Sequence, residues 1–394
     1  MDGNCEKKVQ KTAKRRFGGI SRAFSLQNIS MTKFGFAKKT ATISFMLAAA
    51  VLSFGASVSA SAPLIVIADG REYVFFQPEL KIEDGVYVLS GLDEIVDRIY
   101  LDTLKKPVDA KIDFTPGKDK PFSITREKNG REVNKARLKA EILYALDSGK
   151  RKVTVGADAL APEITEAYLR EETILRSRFV TCYGSSSPER KNNIELACKS
   201  LNGAIIDSEG VLSFNERVGE RTEERGYRTA KIIVDGKFAD GLGGGVCQVS
   251  TTLYNSALRA GLPVEEYHPH SLAVSYVPPS FDAMVSGAAC DLRIRNDTGR
   301  RIYVSASADG TNVTIVFYGI GSECEYRFSS TIDGILRAKT QIVDRNSGIS
   351  PIKPKDGMKS SAYVSVFRGG VLVSSKKLRS DVYAPIDGIV YAEE

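Results

Sequence analysis

Residues 241–261, which read GLGGGVCQVSTTLYNSALRAG, predict a helix that begins directly after a run of three glycines. Four apolar residues recur at helical spacing on the face expected to pack on the core: Val249, Leu253, Ala257 and Ala260. Four others fall on the opposite face: Cys247, Ser250, Thr251 and Tyr254. Gly261 is a typical helix stop. The sequence therefore predicts a cysteine in the first turn of a helix, on its polar side.

A cysteine in this position has the chemistry of a nucleophile. Unpaired N–H groups and the positive end of the helix dipole stabilise a thiolate and lower the pKa of the thiol. The N–H groups around Gly245 to Cys247 also suit a developing oxyanion. Gly243, Gly244 and Gly245 allow close approach of a ligand or of a neighbouring strand. The competing interpretation is a small buried cysteine packed between a helix and a strand.

The whole chain contains two histidines, and both lie shortly after this helix, at His268 and His270. A thiolate that expels an amine needs an acid and base with a pKa near neutrality, which histidine usually supplies. In the next segment Leu272, Val274 and Tyr276 alternate as in a strand. A cysteine at a helix N-terminus with a histidine on the following strand is typical of papain-like sites. We predict His270 as the base and His268 as the alternative.

A third group should orient the imidazole. Asp282 is the nearest downstream carboxylate, and Glu265 and Glu266 are the alternatives. Asp282 is equally consistent with a turn residue that hydrogen-bonds to its own backbone. The sequence leaves this choice open.

Composition and charge exclude several classes of function. The chain has 394 residues and a net charge of +7, but residues 1–39 carry ten basic side chains and two acidic ones. The remaining chain is nearly neutral, which argues against a nucleic-acid partner. One cysteine and two histidines separated by Pro269 do not supply the four ligands of a zinc site. We therefore predict no metal and no cofactor.

The beginning of the chain resembles an export signal. Residues 31–39 are basic, and residues 40–60 are apolar and end in small residues. This order is typical of a secretory signal peptide cleaved after Ala60, and an uncleaved membrane anchor is the alternative. We predict residues 1–60 as a leader and place the protein in a bacterial envelope, secreted or membrane-anchored.

The fold class predicted for the remainder is α+β. Residues 63–162 form a small α+β domain with helices over 92–104 and 133–146, and with Asn129-Gly130 as a hairpin turn. Residues 163–320 form the domain that holds Cys247. Residues 321–394 are β-rich. Further hairpins are predicted at Asp309-Gly310 and Gly369-Gly370.

Five cysteines remain after the leader, an odd number for an oxidising compartment. Pairing of Cys182 with Cys198 and of Cys290 with Cys324 would leave Cys247 as a free thiol. Sequence does not fix the connectivity, and all four could equally be free.

The stretch from about 178 to 296 resembles a VanW domain. The resemblance rests on several motifs, which are RFVTCYGSSSPERKNNIELA, VLSFNERVGERTEERGYRTAKIIVDGKFADGLGGGVCQVSTTLYNSALRAGL, HPHSLAVSYVPPSFDAMVSG and DLRIRN. The sequence departs from the family at Ser280-Phe281, where members commonly have a glycine-containing pair before the aspartate. The upstream segment resembles the peptidoglycan-binding domain that often precedes VanW domains. The C-terminal segment resembles the small all-β modules found after them.

Some VanW-family members act as cysteine L,D-transpeptidases that cross-link peptidoglycan stem peptides. The resemblance implies Cys247 as nucleophile, His270 as base and Asp282 as its partner. Candidate substrate contacts surround them: Gly243, Gly244, Gly245, Gln248, Ser250, Thr251 and Tyr276. The expected partner is a peptidoglycan stem peptide. The alternatives are a cysteine peptidase that trims stem peptides and a non-catalytic envelope protein.

Overall fold

The computed structural model describes residues 62–76, 80–83, 86–234 and 236–392. The fold is mixed α+β and β-rich, which confirms the predicted class. The predicted leader, residues 1–60, lies outside the described residues. Within the described ranges, no helix is both long and apolar enough to cross a membrane.

The N-terminal region builds a small core from one sheet and two helices. Its strands are β1 Leu64–Ala68, β2 Arg71–Phe75, β3 Leu80–Glu83, β4 Val86–Leu89, β5 Lys111–Phe114, β6 Phe122–Thr125, β7 Gly130–Glu132, β8 Lys152–Val155 and β9 Asp158–Leu160. Its helices are α1 Leu92–Thr103 and α2 Lys135–Asp147, close to the predicted ranges. The core sheet has the order β2-β1-β8. Alternate residues of β1 and one face of each helix are buried there, as the periodicity predicts.

The hairpin predicted at Asn129-Gly130 is wrong. Strand β6 pairs with β5, and β7 begins at Gly130 and pairs with β9. Gly130 packs against a neighbouring segment, because a Cβ atom there would lie 2.3 Å from the carbonyl oxygen of Lys105. The glycine is needed for close approach of two chain segments and not for a turn.

The central region is a four-stranded antiparallel sheet covered by helices. Its elements are α3 Glu166–Arg170, a 3₁₀ turn Glu171–Thr173, β10 Ile174–Cys182, α4 Pro188–Leu201, β11 Ala204–Ile206, β12 Val211–Ser213, α5 Phe214–Val218, β13 Thr229–Val234, β14 Lys237–Leu242, α6 Val246–Ala260, β15 Val264–Glu266, β16 Arg293–Arg295, β17 Ile302–Ala308 and β18 Asn312–Gly319. The sheet order is β10-β18-β17-β11, and the β17–β18 hairpin at Asp309-Gly310 is confirmed. Alternate residues of β18 are buried, and α4 and α6 pack with this sheet in one core.

The N-terminal region also contacts the outer face of this sheet. Phe114 and Phe122, from the β5–β6 hairpin, pack against Tyr303 and Tyr318 with ring centroids 5.2–6.2 Å apart. The Tyr303 hydroxyl donates a hydrogen bond to the buried Glu172 carboxylate at 3.0 Å. The sheet is therefore covered on both faces.

The C-terminal region is almost entirely β. Its strands are β19 Cys324–Leu336, β20 Thr340–Val343, β21 Gly357–Arg368, β22 Val371–Tyr383 and β23 Gly388–Tyr391, with a 3₁₀ turn at Arg345–Ser347. Strands β19, β21 and β22 form an antiparallel sheet in that order, and the predicted Gly369-Gly370 turn joins β21 to β22. Ala362, Phe328 and Leu378 pack in the same hydrophobic core as the central region. This region therefore lies against the helix that carries Cys247.

Candidate active site

Helix α6 begins and ends as the sequence predicts. Gly245 precedes its first residue with φ 108°, and Gly261 follows its last with φ 73°, both in the left-handed region that favours glycine. Cys247 is the second residue of the helix and is half-buried. At Gly244, a Cβ atom would lie 2.7 Å from the carbonyl oxygen of Lys231 on β13. The glycines thus let the turn approach the β13–β14 hairpin closely.

Two N–H groups of this turn are used within the protein. Val246 N–H donates to the Gly243 carbonyl at 3.1 Å, and Gln248 N–H donates to the Gly245 carbonyl at 2.9 Å. The N–H of Cys247 lies between them. Of the N–H groups expected to stabilise an oxyanion around Gly245 to Cys247, that of Val246 is therefore excluded, because it already donates to Gly243.

The Cys247 thiol lies beside the His270 imidazole. Burial raises the pKa of the Cys247 thiol, but the hydrogen bond and positive charge of His270, helped by Arg221, bring that pKa below its ordinary value. The Sγ atom lies 3.4 Å from the carbonyl oxygen of Val285. This environment favours a thiolate–imidazolium pair.

His270 is held by Asp282 through two contacts. The Nδ1 and the backbone N–H of His270 both lie 2.7 Å from Oδ2 of Asp282. Burial lowers the pKa of His270, but hydrogen bonds to Asp282 and Cys247 outweigh it and raise that pKa to about 9. Burial raises the pKa of Asp282, and its hydrogen bond and ion pair with His270 reverse the effect and hold it below the usual range. The imidazole is therefore fixed with Nε2 free to serve the thiol.

The other carboxylate oxygen of Asp282 is bound by two residues of the C-terminal region. Arg379 Nη2 donates to Oδ1 at 3.0 Å, and Nη1 donates to the Asp282 carbonyl at 2.8 Å. The Tyr383 hydroxyl donates to the same Oδ1. Arg379 also pairs with Asp381 at 2.7 Å, and these groups are almost fully buried. Arg379 and Tyr383 were not predicted from the sequence, because the stretch KKLRSDVY resembles an ordinary polar edge of a hairpin.

The strand predicted over Leu272, Val274 and Tyr276 is wrong. Residues 271–277 form no regular strand, and Ser271 at their start bonds to two different elements and not to one partner strand. Ser271 Oγ accepts from Gly236 N–H at 3.2 Å, and the Ser271 carbonyl accepts from Ala384 N–H at 2.8 Å. His270 is consequently positioned by Asp282 and not by a sheet.

Ser280, where the sequence departs from the family pattern, adopts a left-handed backbone conformation. Ser280 has φ 65°, a conformation that glycine adopts more readily. Its N–H donates to the Tyr383 hydroxyl at 2.7 Å, and its Oγ lies 2.6 Å from Ser360 Oγ. The turn before Asp282 is therefore stabilised by the C-terminal region.

Two predicted substrate contacts have another role. Ser250 and Thr251 are fully buried. Ser250 Oγ donates to the Ala283 carbonyl at 2.6 Å, and Ala283 N–H donates to Thr251 Oγ1 at 2.9 Å. The expected substrate role needs correcting, because both hydroxyls fix the segment that carries Asp282.

Gln248 is also engaged within the protein. Its amide nitrogen donates to the Cys182 carbonyl at 2.9 Å, and its amide oxygen accepts from Arg190 at 2.8 Å. Gln248 therefore orients Arg190 on the cleft wall.

A cleft of about 1110 Å³ opens over the nucleophile. Cys247, His270, Tyr276 and the glycines 243–245 line it, and Phe238 of the β13–β14 hairpin forms part of its apolar wall. Burial, together with the negative charge of Cys247, raises the pKa of Tyr276, so its phenol stays protonated at neutral pH. Of the predicted substrate contacts, Tyr276 and the glycines 243–245 therefore line the cleft where a ligand can reach them.

The alternative acid–base residues form a separate cluster. His268 Nε2 lies 2.9 Å from Glu266 Oε1, and Glu265 lies 3.2 Å from Arg295. Neither His268 nor its partner lines the cleft.

The sequence left the pairing of the cysteines open, and the structure has the alternative without disulfides, because Cys182, Cys198, Cys290 and Cys324 are all free thiols. Cys198 is buried inside α4, and burial raises the pKa of its thiol to about 12. Cys182 is exposed at the end of β10, where no second cysteine meets it. The pKa of the Cys247 thiol, in contrast to that of Cys198, is lowered.

Two segments of the chain match known protein families. Residues 189–318 match the family described as "VanW like protein", which covers the nucleophile, the histidine and the aspartate. The chain contains a VanW-like domain. Residues 88–154 match the family described as "Putative peptidoglycan binding domain". Both matches associate the chain with the cell wall.

Two curated proteins resemble parts of the chain. The "Uncharacterized protein YoaR" of Bacillus subtilis (strain 168) is 36% identical over 176 residues, which is 44% of this chain and 58% of that protein. The "Vancomycin B-type resistance protein VanW" of Enterococcus faecalis (strain ATCC 700802 / V583) is 32% identical over 111 residues, 27% of this chain and 40% of that protein. The solved structure "Crystal structure of HP0197-G5" aligns with 18% of this chain and all of its own, at 20% identity and a TM-score of 0.11. The chain thus spans about half the length of its curated relatives.

Proposed function

We propose that this protein is an exported cysteine L,D-transpeptidase that cross-links peptidoglycan stem peptides. The observation that carries the proposal is the buried chain of contacts from Cys247 through His270 to Asp282 at one side of an open cleft. A structural cysteine requires neither a paired histidine nor a buried carboxylate behind it. The peptidoglycan-binding family match upstream supports the substrate class.

The reaction proceeds in two halves. The Cys247 thiolate attacks the carbonyl carbon of the bond between the L-centre and the terminal D-alanine of a tetrapeptide stem. A C–S bond forms, the C–N bond breaks, and the imidazolium of His270 gives its proton to the departing amine. An amine of a neighbouring stem then attacks the thioester and loses its proton to His270. An amide forms, and the thiolate–imidazolium pair is restored.

The size of the cleft supports transfer to a second peptide. Its volume of about 1110 Å³ exceeds the roughly 300–1,000 Å³ typical of sites for one small ligand. A cleft of this volume leaves room for part of an acceptor beside the donor stem.

Hydrolysis of the same thioester by water is the second candidate. It shares the first half-reaction, and the openness of the cleft admits water as readily as an amine. The masses of the products separate the two outcomes, since transfer joins two stems and hydrolysis adds one water.

The function is tested by mass spectrometry of the intact protein mixed with a tetrapeptide muropeptide. We expect release of one D-alanine and a transient adduct on Cys247 with the mass of the remaining stem, followed by cross-linked product. The acylated residue is identified by peptide mapping. A protein that gains no adduct and releases no D-alanine contradicts the proposal and leaves a wall-binding role.

The rate of acylation should depend on pH in the form of a bell. It rises as Cys247 ionises, at a pH below the usual cysteine value of about 8.5. It falls as pH passes about 9, because His270 then loses the proton that the leaving amine needs. Single-turnover release of D-alanine measures this step.

Alkylation of Cys247 by iodoacetamide is the matched control, because it needs the thiolate and no proton donor. Its rate should reach a plateau without declining above pH 9. An acylation rate that continues to rise up to pH 10 contradicts the acid role of His270.

A further inference from the structure

Two arginines lie on either side of the turn that carries Cys247. The side-chain stem of Arg221 packs on Gly243, where a Cβ atom would lie 3.0 Å from its Cβ and Cγ. The stem of Arg190 packs on Gly245, where a Cβ atom would lie 2.8 Å from its Cγ. Both side chains are half-buried and line the cleft. The glycine turn therefore brings two positive charges close to the nucleophile.

Neutral groups hold both guanidinium groups in place. Arg190 donates to Ser186 Oγ at 2.6 Å and to Gln248 Oε1 at 2.8 Å, so both its terminal nitrogens are used. Arg221 donates through Nη2 to Asn215 Oδ1 at 2.6 Å. In the part of the chain that the structure describes, neither forms an ion pair with a carboxylate. The two arginines are thus oriented without a direct ion pair, the Asp291 carboxylate being the nearest described acidic group that acts on Arg221, and Nη1 of Arg221 is not used in a hydrogen bond to a described residue.

We infer that Arg221, supported by Arg190, binds the free C-terminal carboxylate of the donor peptide, an inference that rests on the proposed function. In a peptide whose last amide bond is cleaved, the carboxylate carbon lies within about 4 Å of the attacked carbonyl carbon. An anion therefore reaches the immediate surroundings of Cys247, where Arg221 can donate charge-assisted hydrogen bonds to it. The site selects peptides that end one residue beyond the scissile bond and rejects bonds in the interior of a chain.

Two alkylating reagents of similar size test the subsite without any peptide. Iodoacetate carries a carboxylate and iodoacetamide does not, and both react with the same thiolate. The ratio of their rates at Cys247 therefore cancels any change in the pKa of the thiol. We expect Arg221→Gln to lower the iodoacetate-to-iodoacetamide ratio about tenfold, and Arg190→Gln to lower it less. The rates are read from the peptide that contains Cys247.

Lys231→Gln is the control for charge alone. Lys231 also lines the cleft, but its side chain is exposed and paired with Asp240 at 2.9 Å, so its removal takes away the same unit of charge from another part of the cleft wall. Its ratio should stay within about twofold of the wild-type value, because exposed charges are screened by salt. An unchanged ratio in Arg221→Gln, or a fall as large in Lys231→Gln, overturns the inference.

A second measurement compares the tetrapeptide with its C-terminal amide. The wild type should be acylated faster by the tetrapeptide with a free carboxylate than by its amide. Arg221→Gln should lower the ratio of these two acylation rates about tenfold. If neither peptide acylates the wild type, the proposed function fails while the reagent ratio still tests the subsite. If both acylate it equally fast, the carboxylate subsite fails while the proposed function stands.

Discussion

A Cys247→Ala variant is expected to release no D-alanine and to form no cross-links from tetrapeptide muropeptides. Alanine removes the sulfur atom that forms the thioester. Among the described residues, Cys247 is the thiol that forms a hydrogen bond with His270. Loss of a nucleophile that acts together with its base and carboxylate costs on the order of 10⁴-fold or more in rate. The measurement is product formation by the purified variant, followed by mass spectrometry over hours.

Cys290→Ala is the matched control for this variant. Cys290 is also partly buried and close to the cleft, and burial raises the pKa of its thiol. It has no contact with the Cys247–His270–Asp282 chain in the described hydrogen bonds. Its activity should stay within about twofold of wild type. Cross-links from Cys247→Ala at the wild-type rate contradict the assignment of the nucleophile.

The helix, Cys247 and the two candidate histidines were predictable because their signals are local. A triple glycine, an apolar face at helical spacing and Gly261 fix α6 within a single stretch of 21 residues. The two histidines are the only ones in the sequence, and both follow that helix closely. Because a thiolate nucleophile usually needs a histidine as its acid and base, few candidate partners remained. Local pattern and the scarcity of histidine were sufficient for these residues, whereas Asp282 was implied only by the family resemblance.

The parts that the sequence did not predict depend on contacts between distant segments. Residues 271–277 alternate like a strand, yet Ser271 bonds through its Oγ to a hairpin tip and through its carbonyl to the chain after β22. Asn129-Gly130 has the composition of a turn, but close packing against Lys105 uses the glycine differently. Arg379 and Tyr383 lie about 100 residues beyond Asp282 in sequence. Tertiary packing overrides local preference in each case.

The second large effect is expected at Arg379. Replacing it with methionine keeps most of the apolar stem but leaves Asp282 buried with its Oδ1 oxygen held by Tyr383 alone. Removing one partner of a buried ion pair lowers the free energy of unfolding by about 3–5 kcal/mol. We expect that loss in chemical unfolding followed by circular dichroism, together with slower acylation.

The pH dependence of this variant separates an electrostatic role from simple packing. The pKa of Asp282 is lower in the folded than in the unfolded protein. Ionised Asp282 therefore stabilises the fold fully at a pH above its unfolded pKa, and this stabilisation is lost as the pH falls through its folded pKa. Without Arg379 the pKa of Asp282 is lowered less. The midpoint of acid unfolding should therefore move to higher pH in Arg379→Met and return towards wild type in Arg379→Lys.

Arg368→Met is the control, because Arg368 belongs to the same sheet and is exposed. It should leave both the acid midpoint and acylation unchanged. Tyr383→Phe removes one hydroxyl donor to Asp282 and keeps the ring, so it should shift the midpoint in the same direction by a smaller amount. If Arg379→Met and Arg368→Met behave alike, the C-terminal region does not position the catalytic aspartate. If they differ as expected, that region is part of the active site, and the VanW-like domain depends on it for the orientation of His270.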